Sequence, residues 1–537
     1  MIKKLAALTL TIAMVVVNLA GCGDFNKGAD TQSEDAVKSS DYADIDISKH
    51  VVVTLLTIGD GPSGTQKNYD EMMKELNKLL TEKCNAELKI YFIPWTDYLA
   101  NYDLTLSAMD GTIDLVGASA DWLDAWPNIK NGAFLPLSEE ILNKYAPKTW
   151  KSVSKEHWDM CMYNEKIYMM PEDNFEQWTN HGFIYRLDWA KEAGLTEGVR
   201  SWEDMTEYFK YVRKAYPDII PWDSDGTQYK QLVSGWIVSH SDYIPINDLS
   251  TGALWGGSRK DLYTVYSPFV TDTQSLVEFA KMMKEWDSMG VWNTENFNDN
   301  ENSSNCNDYR IGLVAAEQHH TNTWTDLVSH TQDNKIYDED PDAETGFFYF
   351  GEESKNIISL SVTHGAMAVS AGSRNPERAL MVYDLLRNDP DCYRLICYGV
   401  KGVSWDTNDE GLRIKPQGYN SETDNIGAVT NFWWGRNDDL EIKDAGRDWE
   451  KIDELYAEYD SIKIDYPYGQ FVADVDNIQS QINNINDIHE NYMKRIAYGK
   501  YEGRAEDIVA EYQRQLKAAG IDGVTKELQR QFDELYK

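Results

Sequence analysis

The sequence predicts an α/β protein with two lobes, and its length and its alternating pattern are the main reasons. Its 537 residues are 42% hydrophobic, and chains longer than about 250 to 300 residues normally divide into separate cores. From Val51 onward, short β-branched runs alternate with helical patterns, an order that is typical of parallel βαβ units. In such sheets ligands bind at the carboxyl ends of the strands. We therefore expect a binding cleft beside those ends.

The predicted elements follow the chain in order. The segment VVVTLLTI at residues 51–58 has the pattern of a buried strand, and strands are also expected at residues 88–95, 113–119, 166–171 and 181–186. A helix is predicted over residues 201–216, because Ser201 can cap it and Glu203 and Asp204 occupy its first turn. Other helices are expected at residues 69–83, 98–109, 273–288, 376–387 and 474–498, and a surface loop at residues 293–308.

The first residues are predicted to be a secretion signal rather than part of the fold. Lys3 and Lys4 precede an apolar run from Leu5 to Val17 that is too short to span a bilayer. The LAGC box at residues 19–22 predicts cleavage before Cys22, whose thiol would carry the lipid chains that anchor the protein to the membrane. An ordinary signal peptide that merely contains a cysteine is the alternative.

Residues 22–48 are predicted to form a disordered tether between the lipid and the folded body. Asp, Ser, Gly and Ala dominate this segment, and Phe25 and Tyr42 are its only aromatic residues. Such a composition cannot bury enough apolar surface to order itself.

The charge of the chain limits its partners. The formal net charge is −38, and a field of that sign repels nucleic acid and anionic lipid. We therefore expect no nucleic-acid partner and a ligand that is neutral or cationic, unless a local basic pocket reverses the preference.

Motifs for cofactors and metals are present only as fragments. The glycines of residues 59–64 match GxGxxG, but no acidic residue ends the second strand; we interpret them as a loop that lets the backbone approach a ligand. Residues 223–226 and 298–308 resemble incomplete calcium loops, and His319 and His320 lack a metal-binding spacing. The cysteines after Cys22 show no disulfide or zinc pattern and are expected to be buried and inert: Cys84, Cys161, Cys306, Cys392 and Cys397. No cofactor, metal or catalytic residue is predicted.

Aromatic residues are unusually numerous, with 18 Trp and 32 Tyr. Trp95 and Trp122 follow predicted strands, Trp178 lies between two of them, and Trp433 and Trp434 stand together before a glycine. A flat aromatic face can cover the C–H face of a sugar ring while amides and carboxylates bind its hydroxyls. Core packing is the more common role for any single tryptophan, so the prediction of a sugar site depends on their clustering at strand ends.

Several segments, taken in order, resemble the family 1 extracellular solute-binding proteins of ABC importers. They are IDLV at 113–116, GAFLPL at 132–137, NEKIY at 164–168 before Pro171, IY at 184–185 through AGL at 193–195, SWED at 201–204 and NPERA at 375–379. Three more resemble a Gram-positive lipoprotein branch linked to oligosaccharide uptake: YGVKG at 398–402, FWWG at 432–435 and LKAAGI at 516–521. Arg436 and the acidic stretch after it depart from the pattern of that branch.

The resemblance implies a two-lobe fold of the periplasmic-binding-protein type II, with hinge crossings near residues 173–181, 361–366 and 425–432. Lobe one would hold residues 49–175 and about 366–428, and lobe two residues 176–365 and about 429–537. The implied protein is a monomer on the outer face of the cytoplasmic membrane. It would capture an oligosaccharide, including one that bears a uronate, and pass it unaltered to the permease subunits.

The candidate ligand-binding residues are those that follow predicted strands or lie in the connecting segments: Trp95, Trp122, Asp173, Glu176, Trp178, Trp236, Trp255, His319, Trp324, Trp433, Trp434 and Arg436. The tryptophans would stack on sugar rings, while the polar residues would bind hydroxyls or, for Arg436, a uronate carboxylate. Two alternatives stay open. One is an extracellular glycoside hydrolase, whose carboxylate pair is not recognisable from spacing, and the other is a lipoprotein that binds peptides or amino acids.

Overall fold

A computed structural model describes residue 42 and residues 44–63, 67–96, 98–173, 180–224, 228–246, 252–292, 307–330, 334–469 and 471–537. The predicted signal sequence, Cys22, Glu176, Trp178 and Cys306 lie outside the described residues. Within these ranges, no helix combines the length and the apolar character that crossing a membrane requires.

The strands of the described chain are short, and most belong to two sheets. They are β1 (Val51–Ile58), β2 (Ala86–Ile93), β3 (Leu115–Ala118), β4 (Met162–Tyr163), β5 (Lys166–Ile167), β6 (Met169–Pro171), β7 (His181–Arg186), β8 (Ile220–Trp222), β9 (Val314–His320), β10 (Thr345–Tyr349), β11 (Ala366–Val369), β12 (Asp406–Thr407) and β13 (Arg413–Ile414).

Helices connect these strands and make up most of the carboxyl-terminal part. They are α1 (Lys67–Cys84), α2 (Tyr98–Ala108), α3 (Ala125–Lys130), α4 (Glu139–Tyr145), α5 (Pro147–Ser152), α6 (Lys155–Met160), α7 (Leu187–Glu192), α8 (Trp202–Ala215), α9 (Tyr229–His240), α10 (Pro268–Thr271), α11 (Thr273–Met289), α12 (Asn307–Arg310), α13 (Thr321–Leu327), α14 (Ile336–Glu339), α15 (Pro376–Asn388), α16 (Pro390–Tyr398), α17 (Ser421–Asp424), α18 (Ile426–Thr430), α19 (Trp449–Ile462), α20 (Gln479–Ala497), α21 (Ala505–Ala518) and α22 (Ile521–Tyr536).

The first sheet has the strand order β2-β1-β3-β11-β6, and we call the body around it lobe one. β1 pairs in parallel with β2 and β3, as the alternation of strands and helices predicts. β11 runs antiparallel to both β3 and β6, so the sheet is mixed, which the predicted βαβ units do not indicate. The reason is that β11 enters this sheet from the second sheet rather than through a βαβ unit.

The second sheet has the order β10-β7-β9-β8, and we call the body around it lobe two. β7 runs antiparallel to β10 and β9, and β9 pairs in parallel with β8. One large core packs helices α8, α9, α11 and α20 to α22 together with residues of this sheet. A smaller core contains residues of α13 and α19.

The chain passes between the two sheets in three places. β6 ends at Pro171 and β7 begins at His181, and β10 ends at Tyr349 before β11 begins at Ala366. In the third passage Trp434 is buried in lobe one, whereas α19 packs on lobe two. Because Phe432 and Trp434 are in the lobe-one core, this lobe extends past the predicted boundary near residue 428.

The predicted tether is wrong at its carboxyl-terminal end, where the chain packs on lobe one. Tyr42 and Ile47 are buried in its core. The Tyr42 hydroxyl donates to Asp384 Oδ2 at 2.9 Å, and Asn85 Nδ2 donates to the Ile47 carbonyl at 2.7 Å. Two anchoring side chains therefore fix a segment whose composition alone predicts disorder.

The predicted first residues of the helices are confirmed for some helices and not for others. Ser201 Oγ accepts a hydrogen bond from the Asp204 amide at 3.0 Å, which confirms the cap of α8. α15 begins at Pro376, as predicted, whereas α20 begins at Gln479 and not at Asp474.

Candidate ligand-binding cleft

A cavity of about 1120 Å³ lies between the two lobes. Lobe one contributes residues that follow β2 and β3 and residues of α16, while lobe two contributes the start of β7, the end of β9, and residues of α9 and α13. A second cavity of about 390 Å³ adjoins it and shares Cys397, Tyr398, Arg413 and Arg447 in its lining. Small-molecule sites typically measure roughly 300 to 1,000 Å³, so this cleft has room for a ligand at or above the upper end of that range.

Three tryptophans from distant parts of the chain form one wall of the cavity. Trp95, Trp122 and Trp433 all line it. The ring of Trp95 lies 6.1 Å from that of Trp122 and 6.4 Å from that of Trp433, measured between centroids, and both pairs are nearly parallel. Trp434 is buried behind them, stacked on Trp122 with 5.7 Å between centroids. We call these four residues the tryptophan wall.

Strand β3 provides the space that the tryptophan wall requires. A Cβ atom on Gly117 would lie 2.4 Å from the ring of Trp434, so only glycine lets this ring lie against the strand. The Trp434 indole N–H donates to Thr57 Oγ1 at 2.9 Å, which gives the buried polar atom a partner. Trp122 then rests on Trp434 and lines the cavity.

The described residues of the glycine loop after β1, residues 59–63, do not line the cavity. Gly59 has a φ of +150° and lies against Asn431, whose Nδ2 would be 2.6 Å from a Cβ at this position. The side-chain Nδ2 of Asn431 donates to the Ile58 carbonyl at 3.1 Å, and Asn431 itself lines the cavity. The loop therefore admits a side chain that reaches the cleft.

The hinge side of the cavity contains a histidine bound to lobe one. His364, in the segment between β10 and β11, is 2.7 Å from Asp121 Oδ2 through its Nδ1, and its carbonyl accepts the indole N–H of Trp122 at 3.2 Å. Burial lowers the pKa of His364, but the carboxylates of Asp121 and Glu172 more than offset this, and the pKa is raised above its usual value. This contact couples the second crossing segment to the tryptophan wall.

Three further histidines form a cluster at the lobe-two side of the cavity. His181 and His320 line the cavity, and the ring centroid of His319 lies 6.0 Å from that of His181 and 4.2 Å from that of His320. Burial, together with the neighbouring histidines, lowers the pKa of each of the three to about 3. At neutral pH they are therefore uncharged groups that can donate or accept hydrogen bonds.

The other wall of the cavity is built from ion pairs, and Glu441 is at its centre. Its two oxygens accept hydrogen bonds from the hydroxyls of Tyr393 and, at 2.6 Å, Tyr398. Arg436 Nε lies 3.0 Å from Asp438 Oδ1 and 4.0 Å from Glu441 Oε1. Burial opposes the charge of Arg436, but Glu441 and Asp438 outweigh it and raise the pKa of the guanidinium.

Two more pairs continue this wall toward the adjoining cavity. Arg413 Nη2 lies 3.2 Å from Asp444 Oδ2, and Arg447 pairs with Asp326 of α13. The Arg447 pair therefore joins the third crossing segment to lobe two. We call these residues the ion-pair wall: Asp326, Arg413, Arg436, Asp438, Glu441, Asp444 and Arg447.

Of the predicted site residues within the described chain, Trp95, Trp122, Trp433 and Arg436 line the cavity, and Trp434 supports it. The prediction is wrong for Trp236 and Trp255, which are 2% and 1% exposed in the lobe-two core. The indole N–H of Trp236 donates to Ser275 Oγ at 2.8 Å, away from the cleft lining. Trp236 lies on α9 and contacts Phe279 of α11, and both tryptophans belong to the lobe-two core.

Trp324, His319 and Asp173 are close to the cleft in sequence but do not line it. On α13, Asn322 and Asp326 are four residues apart and share the cavity face, while Trp324 stacks on Phe347 inside the small core. His320 lines the cavity and His319 does not; the Nδ1 atom of His319 lies 2.7 Å from Thr323 Oγ1 of α13. Asp173 is bound to His157 instead.

Sequence reasoning missed lining residues that come from loops, from β7 and β9, and from α16 and α19, among them Asp121, His181, His320, His364, Tyr393, Tyr398, Asn431, Glu441, Asp444, Arg447 and Trp449. Asp121 directly precedes Trp122, and His320 directly follows His319, so the strand-end rule pointed to the correct neighbourhood for both. The prediction that all the cysteines are buried is wrong for Cys397, which is half-buried and lines the cavity.

Comparisons with known proteins agree with this architecture. Residues 467–537 match a family model described as a domain of unknown function, DUF3502. A carbohydrate ABC transporter substrate-binding protein of Streptococcus pneumoniae serotype 4 is 23% identical, with 100% of this chain and 99% of that protein covered. The chain has the fold of an extracellular solute-binding protein. This confirms the resemblance that the sequence segments predict.

Solved structures of solute-binding proteins share this fold over most of their length. The N-glycan transport solute binding protein NgtS from Streptococcus pneumoniae, in complex with Man1GlcNAc, superposes with a TM-score of 0.65 at 19% identity, covering 90% of this chain and 99% of that one. The alginate-binding protein AlgQ2 without calcium ion gives a TM-score of 0.62 at 16% identity, covering 90% and 98%. The two-lobe solute-binding fold with an interlobe cleft is therefore established for this chain.

Proposed function

We propose that this solute-binding protein captures an oligosaccharide in its interlobe cleft and delivers it unaltered to the permease subunits of an ABC importer. The observation that carries the proposal is that one cavity combines an apolar aromatic surface with a polar, hydrogen-bonding surface. Trp95, Trp122 and Trp433 form an apolar wall, and carboxylates, guanidiniums and neutral histidines form the rest of the lining. A sugar ring has an apolar C–H face and a hydroxyl rim, which these surfaces complement.

The positions of these groups also fit capture by closure of the lobes. Lobe one holds the tryptophan wall, while His181, Gln231 and His320 line the cavity from lobe two. A ligand that contacts both lobes when they close, and only one when they open, favours the closed form by its differential affinity. The closed form would then be the one that the permease recognises.

The named ligands of similar proteins support a carbohydrate. The S. pneumoniae relative is a carbohydrate ABC transporter substrate-binding protein, and NgtS was solved with an N-glycan fragment. These proteins are substrate-binding proteins rather than enzymes, which favours return of an intact ligand.

The same proposal includes the anchor and the division of the chain. Cys22 would carry the lipid that holds a monomer at the outer face of the cytoplasmic membrane, with residues up to about 41 as the tether. Lobe one would comprise residues 42–175 and about 366–434, and lobe two residues 176–365 and about 435–537.

A ligand screen tests the proposal. The purified chain without its first 21 residues is heated with neutral oligosaccharides, uronate oligosaccharides and peptides, and a ligand at 100 times its Kd should stabilise the native state by about 2.7 kcal/mol. Calorimetric titration then gives the affinity, and chromatography of the recovered ligand should show it unchanged. Binding of peptides alone would contradict the proposal, and so would the release of new reducing ends.

A further inference from the structure

We infer that the cleft selects uncharged oligosaccharides and discriminates against acidic ones, because the protein itself already neutralises the cations that line its main cavity. This inference rests on the proposed function, since it names the class of sugar that the same cleft accepts. It replaces the sequence-based expectation that Arg436 binds a uronate.

Each lysine and arginine of the main cavity has a carboxylate partner among the described residues. Arg436 pairs with Asp438 at 3.0 Å and Arg413 with Asp444 at 3.2 Å. Arg447 pairs with Asp326, and Lys443 with Asp453 at 3.0 Å. A uronate, sialate or phosphate bound at any of these cations would have to displace a carboxylate that the chain holds in place.

The central carboxylate of this wall, Glu441, is fixed by additional contacts. Glu441 is held through both oxygens by the hydroxyls of Tyr393 and Tyr398. The Tyr398 hydroxyl in turn accepts the Ile442 amide at 3.1 Å, and the Arg413 guanidinium lies 4.4 Å from the Tyr398 ring centre. A network with this many internal partners resists the rearrangement that would free a guanidinium for a ligand.

Acidic groups are at least as numerous as strong cations in the main lining. Five carboxylates, Asp121, Asp326, Asp438, Glu441 and Asp444, line the same cavity as the four cations Arg413, Arg436, Lys443 and Arg447, inside a chain of net charge −38. Like charges brought together in a partly desolvated cleft are unfavourable. Sugar hydroxyls meet no such penalty, because each can donate to a carboxylate and accept from a guanidinium.

The adjoining cavity of about 390 Å³ contains cations that the main cavity does not. Arg310 and Lys415 line it, together with Asp424, and neither cation lines the main cavity. A sugar that rests on the tryptophan wall occupies the main cavity, so the selectivity is assigned there. The fold itself does not decide the charge of the ligand, because AlgQ2, with a TM-score of 0.62, is an alginate-binding protein and alginate is a polyuronate.

Matched pairs of ligands test the inference. Calorimetry is run with lacto-N-tetraose and its sialylated form, with xylotetraose and its glucuronosyl derivative, and with mannotetraose and the mannuronate tetramer. For each backbone that binds, the acidic member should bind at least about tenfold more weakly. Equal or tighter binding of the acidic member overturns the inference and leaves the proposed function intact. If no member of any pair binds and no other glycan does, the proposed function fails.

Removing a paired carboxylate gives a second, independent test. The Asp438→Asn variant removes the carboxylate 3.0 Å from Arg436, so the charge of Arg436 is less fully neutralised. Binding of the acidic member should improve at least about fivefold, which reduces the difference in affinity between the neutral and the acidic member. Asp444→Asn, which releases Arg413, serves if the first variant does not fold. Glu506→Gln is the control, because it breaks an exposed pair with Lys281 on the surface and should leave the discrimination unchanged. A folded variant that gains no affinity for the acidic member contradicts the pairing argument.

Discussion

Two groups of tryptophans in this protein show how differently the same residue type is used. In lobe one, Trp95, Trp122 and Trp433 line a cavity and keep part of their faces accessible. In lobe two, Trp202 and Trp286 are completely buried and stack on each other with 5.8 Å between ring centroids. The difference teaches that the count of aromatic residues indicates a sugar site only where their rings remain uncovered at the ends of strands.

The largest effect is expected from the buried group. Trp286→Ala removes a fully buried ring whose indole N–H donates to Thr206 Oγ1 at 2.8 Å. The free energy of unfolding should fall by about 3 to 5 kcal/mol, because a cavity remains and Thr206 Oγ1 loses the hydrogen bond that it accepts, although it still donates to the Trp202 carbonyl. Urea denaturation measures this change. If the variant remains folded, its ligand affinity should be close to that of wild type, and a selective loss of affinity would break the contrast between the two groups.

Gly117→Ala tests how the tryptophan wall is supported. The added methyl group would lie 2.4 Å from the ring of Trp434, so the ring or strand β3 must move. We expect a loss of about 3 kcal/mol in stability, at the upper end for overpacking, and weaker ligand binding because Trp122 rests on Trp434. Gly523→Ala in α22 is the control, since nothing lies within 4 Å of its added Cβ. Equal effects of the two substitutions would contradict this account of the wall.

Trp122→Ala tests whether a tryptophan of the cleft contributes more to ligand binding than to stability. Its ring is half-buried and lines the cavity, so its removal should cost about 2 kcal/mol in binding, roughly 30-fold in Kd, with a smaller loss of stability than Trp286→Ala. Trp189→Ala is the matched control, because this ring stacks on Tyr216 in lobe two, with centroids 4.0 Å apart, and does not line the cavity. Unchanged calorimetric affinity in Trp122→Ala would remove this residue from the site.

The histidines of lobe two predict a smaller, pH-dependent effect. The pKa of His319 is about 3 in the folded protein against about 6.5 in an unfolded chain. Between about pH 6.5 and pH 3 only the unfolded state binds a proton at His319. The stability that the neutral histidine contributes is therefore fully present above about pH 6.5 and is lost as the pH falls below it. Replacing His319 by Gln should remove about 1 kcal/mol of the loss of unfolding free energy between pH 7 and pH 5.5. A variant with the full wild-type pH slope would show that His319 is already protonated when folded.

The sequence predicted the local order of lobe one well, and the cleft only in part. The elements from β1 to β3 follow directly from β-branched runs and amphipathic spacing, and Trp95 and Trp122 were found because they follow strands that end at the cleft. The antiparallel pairing of β11 could not be predicted, because it depends on a return from the second sheet.

The ion-pair wall could not be predicted for a different reason. Glu441, Asp444 and Arg447 lie in an irregular segment, and Tyr393 and Tyr398 lie on a helix with an ordinary amphipathic pattern. Their meeting depends on tertiary contacts, so residue spacing contains no sign of it. Trp236 and Trp255 were misassigned for the converse reason, because burial by lobe-two helices is not visible in the sequence near them.

The position of a bound sugar in a crystal structure tests the central claim most directly. The chain is crystallised with the tightest-binding oligosaccharide from the screen. We expect one sugar ring to lie with its C–H face against Trp122 or Trp433, with hydroxyls bonded to Asp121, Asn431 or the ion-pair wall and with a further contact from His181 or His320. Electron density for the sugar outside the interlobe cleft, with the tryptophan wall uncovered, would contradict the account.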